Sequence, residues 1–499
     1  MTNLVYEFLR VVLHTVLRVF YRKIEIAGAE LVPRGRPLIF VANHVNGIVD
    51  PLLIAMVTQR PMQFMAKAPL FQTWMFGPLL KLVDAIPVFR RDPRDYPGGI
   101  VPQDLPHDEM FRAAHDRLAA GGNLCLFPEG VGHSYPQMQE LKTGVARILL
   151  GAEAAHQYAL DIHIVPVGLT FENQGLFRSK VFIRVGPALA GRGYFEQHRA
   201  EPIEAARRLT EDLQQALRAV TLNFETQAEK DFFLTAAEVL HGRRLLNEKL
   251  LQVVKEWTPV YRHFKDQQPE VLEAYRVRLS DYADLKDALS LQERVVTLLA
   301  SFGAPARLIL RMLPLALAAV FVVPMGIAVN LLPYLFCAEI ARRREHLDER
   351  ASAQIVAGFV SYPPMYLVWA ILVGWWSGSW ILAFATPLYA AGLGVLTVWT
   401  VALFAHDWEA LKSWLFFRTN PKLQSFLLRK RHELLDQLEA ARAAASAAPG
   451  IPVAPATIPP VTPGPDGAGP AAPAILAGTP PLAAETAAPS KASSASPAI

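Results

Sequence analysis

His44 and Asp50 are the first side chains whose types and spacing could support catalysis. They lie in the segment NHVNGIVD at residues 43–50, directly after an apolar run. A histidine can act as a general base near neutral pH, and a carboxylate at its other ring nitrogen fixes the tautomer. Six positions do not place two side chains on one face of a helix, so a turn at Gly47 must fold Asp50 back. The alternative is a capping aspartate beside an unrelated turn histidine.

Two adjacent arginines, Arg90 and Arg91, end the apolar run in DAIPVFRR at residues 84–91. Planar guanidinium groups match phosphate oxygens, and residues that follow a strand face the edge of the sheet where ligands bind. The arginines are therefore candidate phosphate ligands. The alternative is that they solvate a surface loop.

A third segment, FPEGVGHS at residues 127–134, places an acidic residue and two glycines after a strand. Glycine allows close backbone approach, and Glu129 could bind an acceptor hydroxyl or backbone amides. The letters GHSYP at 132–136 also begin like the nucleophile turn of a serine hydrolase, but Pro136 replaces the second glycine and Ser134 lies several residues past the apparent strand end.

These segments require a scaffold in which several strands end at one edge. Short apolar runs predict strands, and the segments between them have helical spacing, so we expect an α/β fold with a mainly parallel, mixed sheet flanked by helices. The predicted strands are 37–42, 62–66, 85–89, 123–127, 162–168 and 180–185, and the predicted helices are 51–59, 69–83, 107–120 and 142–158.

The other parts of the chain differ in pattern. Basic residues recur along an apolar helix in residues 1–28, which predicts an amphipathic helix at the membrane interface, the alternative being a helix packed on its own domain. The predicted parts are residues 1–28, an α/β domain at 29–220, a helical connector at 221–304, a membrane region at 305–420, a charged helix at 421–446 and a disordered Ala/Pro-rich tail at 447–499.

The membrane region contains about two to four apolar segments. The stretch 312–338 has basic residues on both flanks and internal prolines, which predicts either a broken hairpin or a single kinked span. Residues 363–405 are long enough for two spans that meet around 374–380. We therefore expect the chain to lie in a lipid bilayer.

Composition excludes several other classes of protein. The formal charge of +4 is too small to indicate nucleic acid binding. Cys125 and Cys337 are far apart and lack metal-ligand spacing, so neither a disulfide framework nor a metal site is predicted. Hydrophobic residues make up 52% of the chain, which is high for a soluble enzyme.

The three segments, with IVPVGL at 164–169 as a fourth, resemble in order and separation the PlsC-type glycerolipid acyltransferases, a family of glycerol-3-phosphate and 1-acylglycerol-3-phosphate acyltransferases. The resemblance covers roughly residues 30–220. It implies that His44 is the general base and Asp50 its partner. It further implies that Arg90 binds phosphate and that Glu129 with Gly130 helps form the acceptor site.

The same resemblance adds further substrate contacts. Family members carry basic or glycine positions at Lys67 and in LKTG at residues 141–144, which includes Lys142. Asn43, beside the histidine, and Arg91 complete the predicted substrate-binding set.

Two departures from the family pattern bear on the acceptor. Five residues separate His44 from Asp50, where four are commonest. The five-residue variant recurs in family members related to glycerol-3-phosphate or dihydroxyacetone-phosphate acyltransferases, which favours an unacylated acceptor. The usual Thr-Arg after the Phe-Pro-Glu-Gly box is Val131-Gly132 here, so Arg90, Arg91, Lys67 or Lys142 must supply the phosphate contact.

The resemblance implies a membrane-bound O-acyltransferase with its catalytic domain on the cytoplasmic face. The co-substrate would be acyl-CoA or acyl-ACP, and the acceptor glycerol 3-phosphate or 1-acylglycerol 3-phosphate, with no bound cofactor or metal. The acyl group would move directly, without a covalent enzyme intermediate. A serine hydrolase and a non-catalytic lipid-binding membrane protein are the alternatives.

Overall fold

A computed structural model describes residues 3–73, 76–130, 132–133, 135–289 and 304–447 of the chain. Apart from Ala447, the predicted disordered tail lies outside these residues.

The described residues form a mixed eight-stranded sheet. Its strands are β1 (Lys23–Ala27), β2 (Leu38–Ala42), β3 (Met62–Lys67), β4 (Ile86–Val88), β5 (Asn123–Leu126), β6 (His163–Phe171), β7 (Lys180–Val185) and β8 (Leu189–Ala190). Their order is β1-β7-β6-β2-β5-β3-β4, with β8 paired to β6. Only the β6–β7 and β6–β8 pairs are antiparallel. The predicted α/β fold with a mainly parallel, mixed sheet is confirmed.

Helices cover both faces of the sheet and then continue beyond it. They are α1 (Asn3–Phe20), α2 (Val49–Ile54), α3 (Phe76–Leu82), α4 (His107–Ala119), α5 (Gly144–Ala155), α6 (Phe195–Ala200), α7 (Pro202–Val220), α8 (Gln227–His241), α9 (Glu248–Gln267), α10 (Pro269–Ala288), α11 (Ala304–Arg342), α12 (Leu347–Ser377), α13 (Trp380–Thr419) and α14 (Pro421–Ser446).

Strand β2 lies at the centre of the sheet, between β5 and β6. All five of its residues are buried, and their side chains alternate between two cores. Ile39 and Val41 pack with α4, α5 and α7, whereas Leu38 and Phe40 pack with α1 and α2. Because apolar layers cover both faces, the strand is fixed in place and His44 emerges from the middle of the sheet edge.

Strand β1 and strand β8 were not predicted. Strand β1 reads KIEIA and is only partly buried, and β8 has two residues. Neither has the continuous apolar run by which the other strands are recognised. Both are held by pairing with distant segments, β1 with β7 and β8 with β6.

Helix α1 packs partly on this domain. Leu17 and Phe20 in its last turns lie in the core beside α2, while Phe8 and Val11 are exposed. This pattern is that of an amphipathic helix docked at one end. Its placement at the membrane interface stays a prediction.

The connector helices form a second core. Apolar side chains of α8, α9 and α10 pack with those of α14 and with Phe417 near the end of α13. The charged helix α14 therefore closes a helical bundle, and the bundle joins the end of the apolar region to the segment that follows α7.

Among the described residues, three helices are long and apolar enough to cross a membrane: Ile309–Arg342, Glu349–Ser377 and Trp380–Thr419. Their surfaces carry large exposed apolar side chains, such as Trp375 and Trp376 at 85% exposure and Phe384 at 84%. An apolar surface of this size favours contact with lipid.

The hairpin interpretation of residues 312–338 is wrong, because α11 continues through Pro314, Pro324 and Pro333. Proline at 333 removes the N–H that would bind the carbonyl of Val329, but the Nε1 of Trp369 in α12 donates to that oxygen at 3.3 Å. A neighbouring helix thus satisfies the freed backbone group, as is common where prolines interrupt membrane helices. The predicted break near 374–380 is present, since α12 ends at Ser377.

Gly168 offers a test of the packing between sheet and helices. A Cβ atom added at Gly168 would lie 1.9 Å from the carbonyl oxygen of Val220 at the end of α7. We expect Gly168→Ala to lower the free energy of unfolding by about 1–3 kcal/mol. Thermal unfolding of the purified protein measures this, with Gly193→Ala as the control, since no described heavy atom lies within 4 Å of a Cβ there. Equal melting temperatures for the two variants would contradict the packing.

Candidate active site

The turn between β2 and α2 brings His44 and Asp50 together. Strand β2 ends at Ala42 and α2 begins at Val49, and Gly47 has a positive φ of 38°. The His44 Nδ1 and the Asp50 Oδ2 are 2.9 Å apart. The geometric condition for a histidine and aspartate pair is therefore met.

Asp50 also closes the turn itself. Its Oδ2 accepts hydrogen bonds from the backbone N–H groups of Val45 and Asn46, each at 2.7 Å, and its side chain is fully buried. One carboxylate oxygen thus fixes the backbone and the ring together. With Nδ1 donating to Asp50, the Nε2 is left to act as the base.

Phe127 fixes the plane of the imidazole. The rings of His44 and Phe127 stack with centroids 4.2 Å apart and planes 22° apart. The His44 side chain keeps 18% exposure, so the ring is held yet accessible.

Glu129 is a structural anchor. Its Oε1 accepts the backbone N–H of His44 at 3.2 Å, and its Oε2 accepts the backbone N–H of Gln139 at 2.9 Å. The Nε2 of His133 lies 2.5 Å from the same Oε2, and the side chain is 1% exposed. Of the two roles expected for Glu129, the structure shows the binding of backbone amides.

Arg90 is engaged within the protein. Its Nε and Nη2 donate to the two carboxylate oxygens of Asp95 at 2.7 and 2.8 Å, and its Nη1 donates to the carbonyl of Gly130. All three nitrogens of this guanidinium have partners, so in this conformation Arg90 holds the turn at Gly130. Arg91, the next residue, is exposed.

Lys142 provides the cation at the glycine turn. Gly130 has a φ of 75°, and a Cβ added there would lie 2.8 Å from the Lys142 Nζ. The ammonium therefore lies over the glycine, beside the segment that carries Glu129. Lys67 ends β3 with an exposed side chain.

Asn43 joins two strand ends. Its Nδ2 donates to the carbonyl of Leu169 at 3.0 Å, and its Oδ1 accepts the N–H of Leu169 at 2.8 Å. Because both ends of the amide bind the backbone of β6, Asn43 supports the turn before His44. Asn43 was predicted to contact the substrate, whereas in the structure its side chain binds the backbone of the protein.

Comparison with known proteins agrees with this architecture. A family model described as Acyltransferase matches residues 23–170. This segment is similar to the domains that the family model describes. It contains β1 to β5 and nearly all of β6, and with them every predicted site residue.

Individual relatives are distant. Glycerol-3-phosphate O-acyltransferase 2 of Saccharomyces cerevisiae is 23% identical over 54% of this chain and 39% of its own length. A probable 1-acyl-sn-glycerol-3-phosphate acyltransferase of Mycoplasma pneumoniae is 27% identical over 34% of this chain and 58% of its own length. The chain thus spans only part of either relative.

One solved structure was also similar. The 1-acyl-sn-glycerophosphate acyltransferase PlsC of Thermotoga maritima is 19% identical, with a TM-score of 0.29 over 43% of this chain and 84% of the other.

A residue far along the chain, in α12, also contacts the turn between β2 and α2. The Ser352 Oγ in α12 accepts the N–H of Ile48 at 3.1 Å and donates to the carbonyl of Asn46 at 3.2 Å. Ser352 is about 300 positions from this turn, so no local pattern could have identified it.

Burial keeps two acidic groups near Asp50 neutral. Burial raises the pKa of the Tyr21 hydroxyl well above its usual value, and the negative charge of Asp50 raises this pKa further. The same two causes raise the pKa of the Cys125 thiol. The reactive form of cysteine is the thiolate, so Cys125 is unsuited to act as a nucleophile.

The described part of the chain contains no group of three or more His, Cys, Asp or Glu side chains that could hold a metal ion. Ser134, the nucleophile of the hydrolase alternative, lies outside the described residues.

Glu129→Gln tests the anchoring role. The amide replaces one acceptor oxygen with an NH2 group, which must then face a backbone N–H or the His133 ring. We expect a loss of about 1–3 kcal/mol in the free energy of unfolding and a lower melting temperature. Glu140→Gln is the control, since Glu140 is close in sequence and exposed. Equal melting temperatures for the two variants would show that Glu129 is not an anchor.

Proposed function

We propose that this protein is a membrane-bound O-acyltransferase. It transfers a fatty acyl group from acyl-CoA or acyl-ACP to the hydroxyl of glycerol 3-phosphate or 1-acylglycerol 3-phosphate. The 2.9 Å contact between His44 Nδ1 and Asp50 Oδ2 within an acyltransferase-family domain carries the proposal. The names of the two relatives support the choice of acceptors.

The proposed reaction is a direct transfer. The His44 Nε2 removes the hydroxyl proton as the oxygen attacks the thioester carbonyl, and Asp50 stabilises the imidazolium. The carbon–sulfur bond then breaks, the thiol leaves with the proton, and the ester remains on the acceptor. Backbone N–H groups near the glycine turns stabilise the oxyanion.

Positioning supplies the rest of the rate. General-base catalysis contributes about 10²–10⁴-fold, so most of the acceleration comes from holding donor and acceptor together. The turn between β2 and α2, residues 43–48, is called the catalytic turn below. Lys142, whose ammonium lies over Gly130, is the cation best placed to bind a phosphate beside this turn.

The apolar helices give a reason for the membrane. Acylated products partition into lipid, and α11, α12 and α13 present exposed apolar surfaces that a bilayer would cover. We place the catalytic domain on the cytoplasmic face, where acyl-CoA and acyl-ACP are supplied, without a resident cofactor or metal.

Side-by-side assays test the activity and the acceptor. Purified protein is offered acyl-CoA with glycerol 3-phosphate or with 1-acylglycerol 3-phosphate, and acylated product is measured. We expect His44→Ala and Asp50→Asn to lower kcat by about 10²–10⁴-fold. His432→Ala, in α14, is the control for histidine removal, and Ser134→Ala should retain activity.

The pattern of losses separates the alternatives. Loss of activity with Ser134→Ala alone would support a serine hydrolase. Unchanged activity in every variant, or no transfer by the wild type, would support a lipid-binding protein without catalysis.

Kinetic order tests direct transfer separately. A general-base mechanism without an acyl-enzyme requires a ternary complex, so double-reciprocal plots at several acceptor concentrations should intersect. Parallel lines, together with acylated protein trapped in the absence of acceptor, would contradict the mechanism.

A further inference from the structure

A cleft lies between the acyltransferase domain and the connector helices, with a cavity of about 100 Å³. One wall includes Asn43 and Val45, which flank His44, together with His133. The other wall comes from residues 222–250, including Lys230 in α8 and Arg244 before α9. The cleft therefore begins beside the catalytic turn and extends to a part of the chain outside the family match.

The cleft has cations that the protein does not neutralise. Neither Lys230 nor Arg244 forms an ion pair with any described residue. The two acidic residues of the lining are both engaged: Glu129 binds His133 and backbone amides, and Glu172 lies 3.0 Å from the Lys180 Nζ. Two unneutralised cations favour an anion.

His133 presents an unsatisfied nitrogen in the same cleft. Its side chain is 7% exposed and its Nε2 faces Glu129, but its buried Nδ1 has no hydrogen-bond partner among the described residues. Buried polar atoms are nearly always paired, so a partnerless one indicates a missing ligand or water. With Nε2 against Glu129, the ring has Nδ1 available to hydrogen-bond to a phosphate group of a ligand.

We infer that Lys230, Arg244 and His133 form a subsite for the phosphate of a substrate. The inference rests on the proposed function. The cavity is far smaller than the roughly 300–1,000 Å³ that encloses a whole drug-sized ligand, so it fits a single group such as a phosphate. The subsite adds to the positive charge of Lys142, since Gly132 replaces the family arginine and Arg90 is bound to Asp95 and Gly130.

The phosphate could belong to the glycerol-phosphate acceptor or to coenzyme A, and kinetics distinguish them. Lys230→Gln, Arg244→Gln and the double variant are assayed with each substrate varied in turn. We expect KM for one substrate to rise roughly ten- to a hundredfold for each lost charged hydrogen bond, with little change in kcat. Arg243→Gln and Lys249→Gln are the controls, since both residues are exposed and outside the cleft lining.

The substrate whose KM rises identifies the source of the phosphate. Unchanged KM for both substrates in an active double variant overturns the subsite and leaves the proposed function intact. If the wild type transfers no acyl group, the proposed function fails, and thermal stabilisation by glycerol 3-phosphate or coenzyme A decides the subsite. Stabilisation that the double variant loses supports it, and equal or absent stabilisation overturns it.

A second, independent observation concerns Ser352. Its hydroxyl bridges the carbonyl of Asn46 and the N–H of Ile48, the two peptide groups on either side of Gly47. The same turn of α12 is embedded in the domain core, where Ala351 is fully buried and Ile355 is 7% exposed. The first turns of a candidate membrane span therefore contact the catalytic turn directly.

The geometry points to Ser352 as a positioning residue for His44 and Asp50. Five residues separate His44 from Asp50, and one of them, Gly47, has a positive φ. Ser352 hydrogen-bonds to the peptide groups on both sides of this glycine. Without the hydroxyl, the Ile48 N–H loses its partner and the Asn46 carbonyl keeps only the Val49 N–H at 2.8 Å. The turn can then relax, which moves Asp50 relative to the ring. Misplacement of about 1 Å can cost on the order of 10²-fold in rate.

The variant Ser352→Ala tests this role. Ser352→Thr restores the hydroxyl, and Ser377→Ala is the control within α12. We expect Ser352→Ala to lower kcat about tenfold or more with KM nearly unchanged, and Ser352→Thr to recover part of it. Hydrogen exchange at the Ile48 amide should accelerate in Ser352→Ala whether or not the wild type is active. Unchanged exchange and unchanged kcat overturn the assignment. A lower melting temperature with normal kcat in the folded fraction shows a merely structural role and also overturns it.

Discussion

A single buried carboxylate oxygen organises the candidate active site. The Asp50 Oδ2 accepts from two backbone N–H groups and lies 2.9 Å from the His44 ring. A buried carboxylate without partners would be very unfavourable, so the turn is stable only in the conformation that supplies all three contacts. The same contacts that satisfy the charge leave the opposite ring nitrogen in position to accept a proton. Local folding and catalytic geometry thus depend on one interaction.

The residues around this pair illustrate how far a motif predicts a role. The sequence identified Asn43, Arg90 and Glu129 as site residues, and all three lie at the strand ends around the catalytic turn. However, each binds protein groups: Asn43 binds Leu169, Arg90 binds Asp95 and Gly130, and Glu129 binds backbone amides. An amide, a guanidinium and a carboxylate can bind either substrate or backbone, and only the three-dimensional partners distinguish these uses.

The predictions from sequence succeeded where the signal was local. Six strands and the mixed sheet followed from apolar runs, because strand residues covered on both faces must be apolar. Strand β1 was missed since its residues are only partly buried. Of the two alternatives for 312–338, the hairpin was wrong, because the Trp369 contact that compensates Pro333 comes from another helix. Ser352 and Arg244 escaped notice for the same reason. Their importance lies in contacts across the fold that no short pattern encodes.

The links between the acyltransferase domain and the apolar helices bear on how a lipid substrate reaches the catalytic pair. Helix α12 enters the core of the domain through Ala351 and Ile355, and α13 ends in the connector core through Phe417. Exposed apolar surface of this extent on these helices favours contact with lipid. Helix α12 carries part of that surface and also contacts the turn at Gly47 through Ser352. Under the proposed function, this contact would link the position of His44 to that of the bilayer. Such a link would suit a reaction between a water-soluble thioester and a product that remains in lipid.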